Sequence, residues 1–105
     1  MIVLALALML AGATENSARA HFTACLKTAY EKGGDQKIAP DGFVAFAKLT
    51  CAGDIAGFRS SVISYDVKAG WTRKKAEPDA DSQVGDYLDD WSGRFRDKSK
   101  TTVSK

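Results

Sequence analysis

The sequence predicts an all-α protein, a small three-helix domain in which the first two helices form an antiparallel hairpin held by one disulfide bond. Apolar residues recur every three or four positions along three segments, whereas alternating strand patterns and hairpin turns are almost absent. Glycine and proline stand between those segments, where helices commonly begin and end. Cys25 and Cys51, the two cysteines, lie on the apolar faces of the first two helices.

The first predicted helix covers residues 21–33, and Gly33 and Gly34 predict its end, because glycine readily adopts the left-handed conformation that often follows a helix. One face carries the apolar residues Phe22, Cys25, Leu26, Ala29 and Tyr30.

The second predicted helix covers residues 40–69, begins at Pro40 and Asp41, and ends before Gly70. Proline suits a first helical turn. Gly53 and Gly57 lower the helix propensity, so a bend there is compatible with the pattern. The apolar stripe consists of Phe43, Ala47, Cys51, Ile55, Phe58, Val62 and Tyr65, widened by Phe46 and Leu49.

The third predicted helix covers residues 72–97, with Thr72 as its N-cap. Pro78 lacks a backbone N–H, so the helix either kinks there or begins again. Residues 98–105 have no apolar period and are predicted to form a flexible basic tail. The stripe consists of Ala76, Ala80, Val84, Tyr87, Leu88, Trp91 and Phe95.

These stripes predict a shared core. We expect it to include Phe22, Leu26, Phe43, Phe46, Cys51, Ile55, Phe58, Val62, Tyr87 and Trp91.

Residues 1–20 are predicted to be a secretory signal peptide. Residues 2–10 form an unbroken apolar run that is too short to span a bilayer, and small-x-small triplets end at Ala13 and Ala20. Cleavage after Ala20 is slightly favoured, because the helical period begins there. A buried N-terminal helix of a cytosolic protein is the alternative. The signal predicts a periplasmic or secreted protein.

An oxidising compartment favours a structural disulfide between Cys25 and Cys51. In an antiparallel hairpin these residues lie about 10 and 16 Å from the connecting loop, within about one helical turn of each other. We therefore expect their Cα atoms to lie about 4.4–6.8 Å apart.

The pattern of polar residues predicts no catalytic, cofactor-binding or metal-binding site. His21 is the single histidine, and would bind copper only as a free N-terminus. Asp86 and Asp90 share a helix face with Arg94, which predicts a solvated, ion-paired surface. Residues 79–83 lack the glycine and the terminal glutamate of an EF-hand calcium loop.

The nearest indication of a binding surface is Trp71 beside Arg73, Lys74 and Lys75, because three cations at the start of a helix oppose its dipole. A net charge of +2 does not indicate nucleic-acid binding. We expect a non-enzymatic binding, interaction or inhibitory module of the cell envelope whose partner is an envelope protein or ligand. Two alternatives are a membrane-surface protein that uses the amphipathic helix 79–97, and an enzyme whose site is not visible in the sequence.

Overall fold

The computed structural model describes the backbone of residues 2–103 and the side chains of residues 16–100. It contains four helices: α1 Ile2–Asp35, α2 Phe43–Thr50, α3 Ala52–Lys68 and α4 Arg73–Val103. A short 3₁₀ turn, Pro40–Gly42, precedes α2. No strand occurs within residues 2–103, which confirms the predicted all-α class.

Helix α1 packs antiparallel to α2 and α3, as the hairpin prediction requires. Cys25 meets Cys51 across the hairpin, and the rings of Phe22 and Phe58 stack with their centroids 5.3 Å apart. Tyr87 of α4 contacts both rings edge-on, with centroid distances of 5.6 Å. These aromatic contacts join all three long helices at one level of the bundle.

The predicted second helix is two helices, because the backbone breaks at Cys51. Cys51 has φ −111° and ψ 22°, outside the helical range, and separates α2 from α3. Its N–H still donates to the carbonyl of Ala47, and its carbonyl accepts from the N–H of Ile55. The helix is therefore interrupted at the disulfide cysteine itself, two residues before Gly53, the first of the two glycines at which the sequence was compatible with a bend.

Helix α1 does not end at Gly33 and Gly34 as predicted, but continues to Asp35. Gly33 is buried, and a Cβ atom there would lie 3.1 Å from the ring of Phe95. The absence of a side chain at Gly33 therefore allows α1 and α4 to approach each other closely. Lys37, with φ 56°, adopts the left-handed conformation after the helix instead.

Helix α3 ends as predicted, in a tight turn at Gly70. Gly70 has φ +104°, a value that side-chain-bearing residues rarely adopt. The N–H of Trp71 donates to the carbonyl of Asp66, and the N–H of Gly70 donates to that of Val67. This pair of hydrogen bonds is the Schellman arrangement, which fixes the backbone of Trp71 directly after the helix.

Helix α4 runs without interruption through Pro78, which settles the question that the proline raised. The hydroxyl of Thr72 accepts a hydrogen bond from the N–H of Lys75 at 3.3 Å, confirming the predicted N-cap. The helix extends to Val103, into the segment predicted as a tail, and residues 104–105 lie outside the described part.

Six of the ten predicted core residues are buried, and the other four lie at the edge of the core. Phe22, Leu26, Phe43, Cys51, Phe58 and Val62 are buried as predicted, whereas Phe46, Ile55, Tyr87 and Trp91 are half-buried against the core. The stripe prediction is wrong at Leu49 and Tyr65, which are 82% and 62% exposed. The remaining buried apolar residues are Ala29, Ala47, Ile63, Ala76, Ala80, Val84, Leu88 and Phe95.

Candidate functional site

The predicted disulfide is present. Cys25 and Cys51 are bonded, and their Cα atoms lie 5.9 Å apart, inside the predicted range. Cys51 is fully buried and Cys25 packs against the core beside it. A disulfide in this position holds the hairpin together and is compatible with an oxidising compartment.

The aromatic residues of the third stripe belong to the fold. The Trp91 ring lies 5.6 Å from that of Tyr30 in an edge contact, and the guanidinium of Arg94 covers its face at 4.6 Å. Phe95 stacks on Phe43 with centroids 4.8 Å apart. The face of α4 that carries these aromatic rings is therefore occupied by the core.

Four large apolar side chains are exposed among the described residues, and three of them lie close to the turn between α3 and α4. Tyr65, Val67 and Trp71 are 62%, 44% and 45% exposed. We call this region the α3–α4 corner, and it consists of Tyr65, Val67, Lys68, Trp71, Arg73, Lys74 and Lys75. The four basic residues of the corner are also exposed.

The predicted surface residues Trp71, Arg73, Lys74 and Lys75 are all exposed in the structure. Three further exposed residues precede them in the chain, at the end of α3: Tyr65, Val67 and Lys68. Sequence reasoning assigned Tyr65 to the core stripe because it follows Val62 at helical spacing. The available signal was the neighbouring Lys68 and Gly70, which place Tyr65 in the last turn of a helix, where core contacts become sparse.

Most of the positive charge at the corner is uncompensated. Arg73 pairs with Glu77 one turn later, with an N–O distance of 3.4 Å. Lys68, Lys74 and Lys75 make no ion pair within the part of the chain that the structure describes. Lys74 and Lys75 also lie in the first turn of α4, where the helix dipole adds further positive potential. The corner therefore combines a positive potential with exposed aromatic rings.

The acidic residues of α4 form surface ion pairs. Asp90 and Arg94, one turn apart, form an ion pair with an N–O distance of 3.0 Å, which confirms the predicted ion-paired face. Asp86 and Asp89 are exposed on the same helix.

One ion pair joins two helices. Arg59 of α3 donates to Asp81 of α4 at 2.7 Å. This hydrogen bond is the main reason that the pKa of Asp81 lies below its ordinary 3.8; desolvation opposes the shift, and the positive charge of Arg59 adds to it. The same hydrogen bond raises the pKa of Arg59. Both side chains remain open to water.

His21 is exposed on α1, one residue before the buried Phe22. Among the described residues, no group of three or more His, Cys, Asp or Glu side chains is placed to hold a metal ion.

No helix in the described part of the chain combines the length and the apolar character needed to cross a membrane. No protein-family model, curated protein or solved structure matches the chain.

Proposed function

We propose that this chain is an exported, disulfide-stabilised helical protein of the periplasm or the extracellular space, and that it acts by binding a partner at the α3–α4 corner. The observation that carries the proposal is the contrast among the aromatic residues. Tyr30, Tyr87 and Trp91 pack on the core, whereas Tyr65 and Trp71 are exposed and lie close in sequence to Lys68, Lys74 and Lys75. These lysines form no ion pair with another described residue. Exposed aromatic residues beside cations are typical of contact surfaces.

The export part of the proposal rests on the apolar run 2–10, the small-x-small triplets and the disulfide. Contacts in α1 favour the earlier of the two cleavage positions. The guanidinium of Arg19 covers the ring of Phe58 at 5.7 Å, and Arg19 is half-buried. Cleavage after Ala20 would remove this contact and leave Phe22 one residue from a free terminus. Cleavage after Ala13 keeps both residues inside a helix.

Intact mass spectrometry of the protein purified from its host tests export. We expect a chain that begins at Thr14 and is lighter than its reduced form by two hydrogen atoms. A chain that begins at His21 would still support export, but would contradict the preference for cleavage after Ala13 that the Arg19 contact suggests. A chain that keeps Met1 in the soluble fraction would contradict the export proposal.

Affinity capture tests the binding role. The processed, oxidised protein is immobilised and exposed to fractions of the host cell envelope, beside the variants Trp71→Ala and Leu49→Ala. Leu49 is the matched control, because it is exposed and apolar but lies outside the corner. We expect a partner that the wild type and Leu49→Ala retain and Trp71→Ala loses, with direct affinity measured on the purified partner. Equal retention by all three proteins would contradict the proposal.

A further inference from the structure

We infer that the partner of the α3–α4 corner is an anionic membrane surface, on which the corner docks through its aromatic side chains and lysines. This inference rests on the proposed binding role of the corner. It differs from the sequence-based alternative of a membrane-bound helix 79–97, because the apolar face of that helix packs on the core.

The residue types of the corner match the bilayer interface. Tryptophan and tyrosine concentrate at the headgroup level of membranes, where an apolar ring and a polar N–H or O–H are both accommodated. Lysines beside them are attracted by anionic lipids, while their alkyl stems cover apolar surface. Trp71 and Tyr65, both exposed, supply the rings.

The charge of the corner is complementary to such a surface. Arg73 is paired with Glu77, whereas Lys68, Lys74 and Lys75 have no ion-pair partner among the described residues. The whole chain carries a formal charge of only +2, so the cations of the corner are a local feature. Near an anionic bilayer, each such cation strengthens binding by about fivefold.

The topology places the corner at the end of the bundle that faces the signal sequence. Phe22 and Phe58 stack at one level, and α1 and α3 run in opposite directions from there. Eight residues along each helix, about 12 Å, bring Thr14 level with Asp66. Helix α1 continues past this level to Ile2 and carries the apolar run 2–10. The corner therefore lies at the end of the bundle toward which the N-terminal half of α1 extends.

An acidic protein is the competing partner, and two observations favour the membrane. The exposed groups lie on both sides of the turn that joins α3 to α4, at one end of each helix, and a broad, deformable surface can contact all of them. The Schellman turn fixes the backbone of Trp71 in the free protein, so this residue's backbone does not depend on contacts with a partner to become ordered.

Vesicle co-sedimentation of the processed, oxidised protein tests the inference. The probes are vesicles of phosphatidylglycerol with phosphatidylethanolamine, compared with vesicles of phosphatidylcholine. We expect binding to the anionic vesicles that weakens as salt is added, and little binding to the neutral ones. In a Trp91→Phe background, the emission of Trp71 should shift to shorter wavelength on binding.

Paired lysine substitutions provide the matched control. Lys74→Gln with Lys75→Gln should weaken binding roughly 10–30-fold. Lys27→Gln with Lys48→Gln removes the same charge from exposed positions near the disulfide and should leave binding nearly unchanged. Melting temperatures of all variants report whether the fold is retained.

Absence of binding to anionic vesicles, equal weakening by both lysine pairs, or an unshifted Trp71 emission would overturn the inference. If the corner variants still lose a captured envelope protein, the membrane inference fails and the proposed binding role stands. If they alter neither vesicle binding nor capture, both fail.

Discussion

At the scale of single residues, burial separates side chains that hold the fold from those available to a partner. Phe58 is fully buried, stacks on Phe22 and lies beneath the guanidinium of Arg19. Trp71 is also an aromatic residue, yet nearly half of it is exposed. Aromatic character alone therefore does not distinguish core from surface in this chain.

Phe58→Ala should lower the free energy of unfolding by about 3–5 kcal/mol, because it removes a ring that three aromatic or cationic neighbours surround. Chemical denaturation of the oxidised protein measures the change. Leu49→Ala, at an exposed position, is the control and should change stability by less than about 0.5 kcal/mol. A loss below about 1 kcal/mol for Phe58→Ala would contradict its placement in the core.

The ion pair between Arg59 and Asp81 gives the stability a defined dependence on pH. The pKa of Asp81 is lower in the folded protein than its ordinary 3.8, so the pair stabilises the fold above about pH 4. That contribution is lost as the pH falls further, through the folded pKa. Arg59→Gln should bring the pKa of Asp81, followed by carboxyl NMR, back toward 3.8 and flatten this part of the stability profile.

Lys48→Gln removes one positive charge elsewhere and serves as the control for Arg59→Gln. It should leave the titration of Asp81 unchanged. A lowered Asp81 pKa that persists in Arg59→Gln would show that another group stabilises the carboxylate.

At the scale of helices, the sequence predicted the three periodic segments, but not where a helix bends or which neighbour it faces. Apolar spacing is insensitive to the break at Cys51, since Ala47, Cys51 and Ile55 keep a step of four through it. Ile63 is buried although it lies outside the predicted stripe. Helix α3 packs between α1 and α4, so it buries a wider face than a single apolar stripe. The sequence alone does not specify which helices pack on either side of it.

The corner was partly predictable for a related reason. The basic run 73–75 beside Trp71 is visible in the sequence, because cations at a helix start are unusual. The apolar spacing alone did not indicate the exposure of Tyr65 and Val67, which follows from their position in the last turn of α3.

Two glycines associated with α3 should respond to alanine with opposite signs. A Cβ at Gly57, inside the helix, meets no atom within 4 Å, and Gly57→Ala should raise stability by up to about 1 kcal/mol. Gly70 has φ +104°, and Gly70→Ala should lower stability by about 1–2 kcal/mol. Thermal unfolding of the two variants measures both changes, and shifts of the same sign would contradict the assigned geometry.

At the scale of the whole molecule, covalent stabilisation and the candidate binding surface are far apart. Cys51 and Lys68 are separated by the length of α3, about 25 Å. The disulfide stabilises chiefly by restricting the unfolded chain, so its effect is on folding and not on the corner.

Reduction of the disulfide, or Cys25→Ser with Cys51→Ser, should lower the free energy of unfolding by roughly 2–4 kcal/mol. Binding at the corner should persist wherever the reduced protein remains folded, as judged by circular dichroism. If reduction abolished binding without lowering the melting temperature, the cysteines would have a redox role instead of a structural one.

Gly70, Trp71 and Thr72 are consecutive, yet they are subject to separate constraints. Gly70 is required by its backbone angle and Thr72 by its cap on α4, whereas the side chain of Trp71 serves neither role. During evolution, the outer two positions are therefore expected to resist substitution and the middle one to change freely whenever the partner changes. A lineage of such proteins can acquire new binding specificity at position 71 without destabilising mutations and without compensating changes in the core.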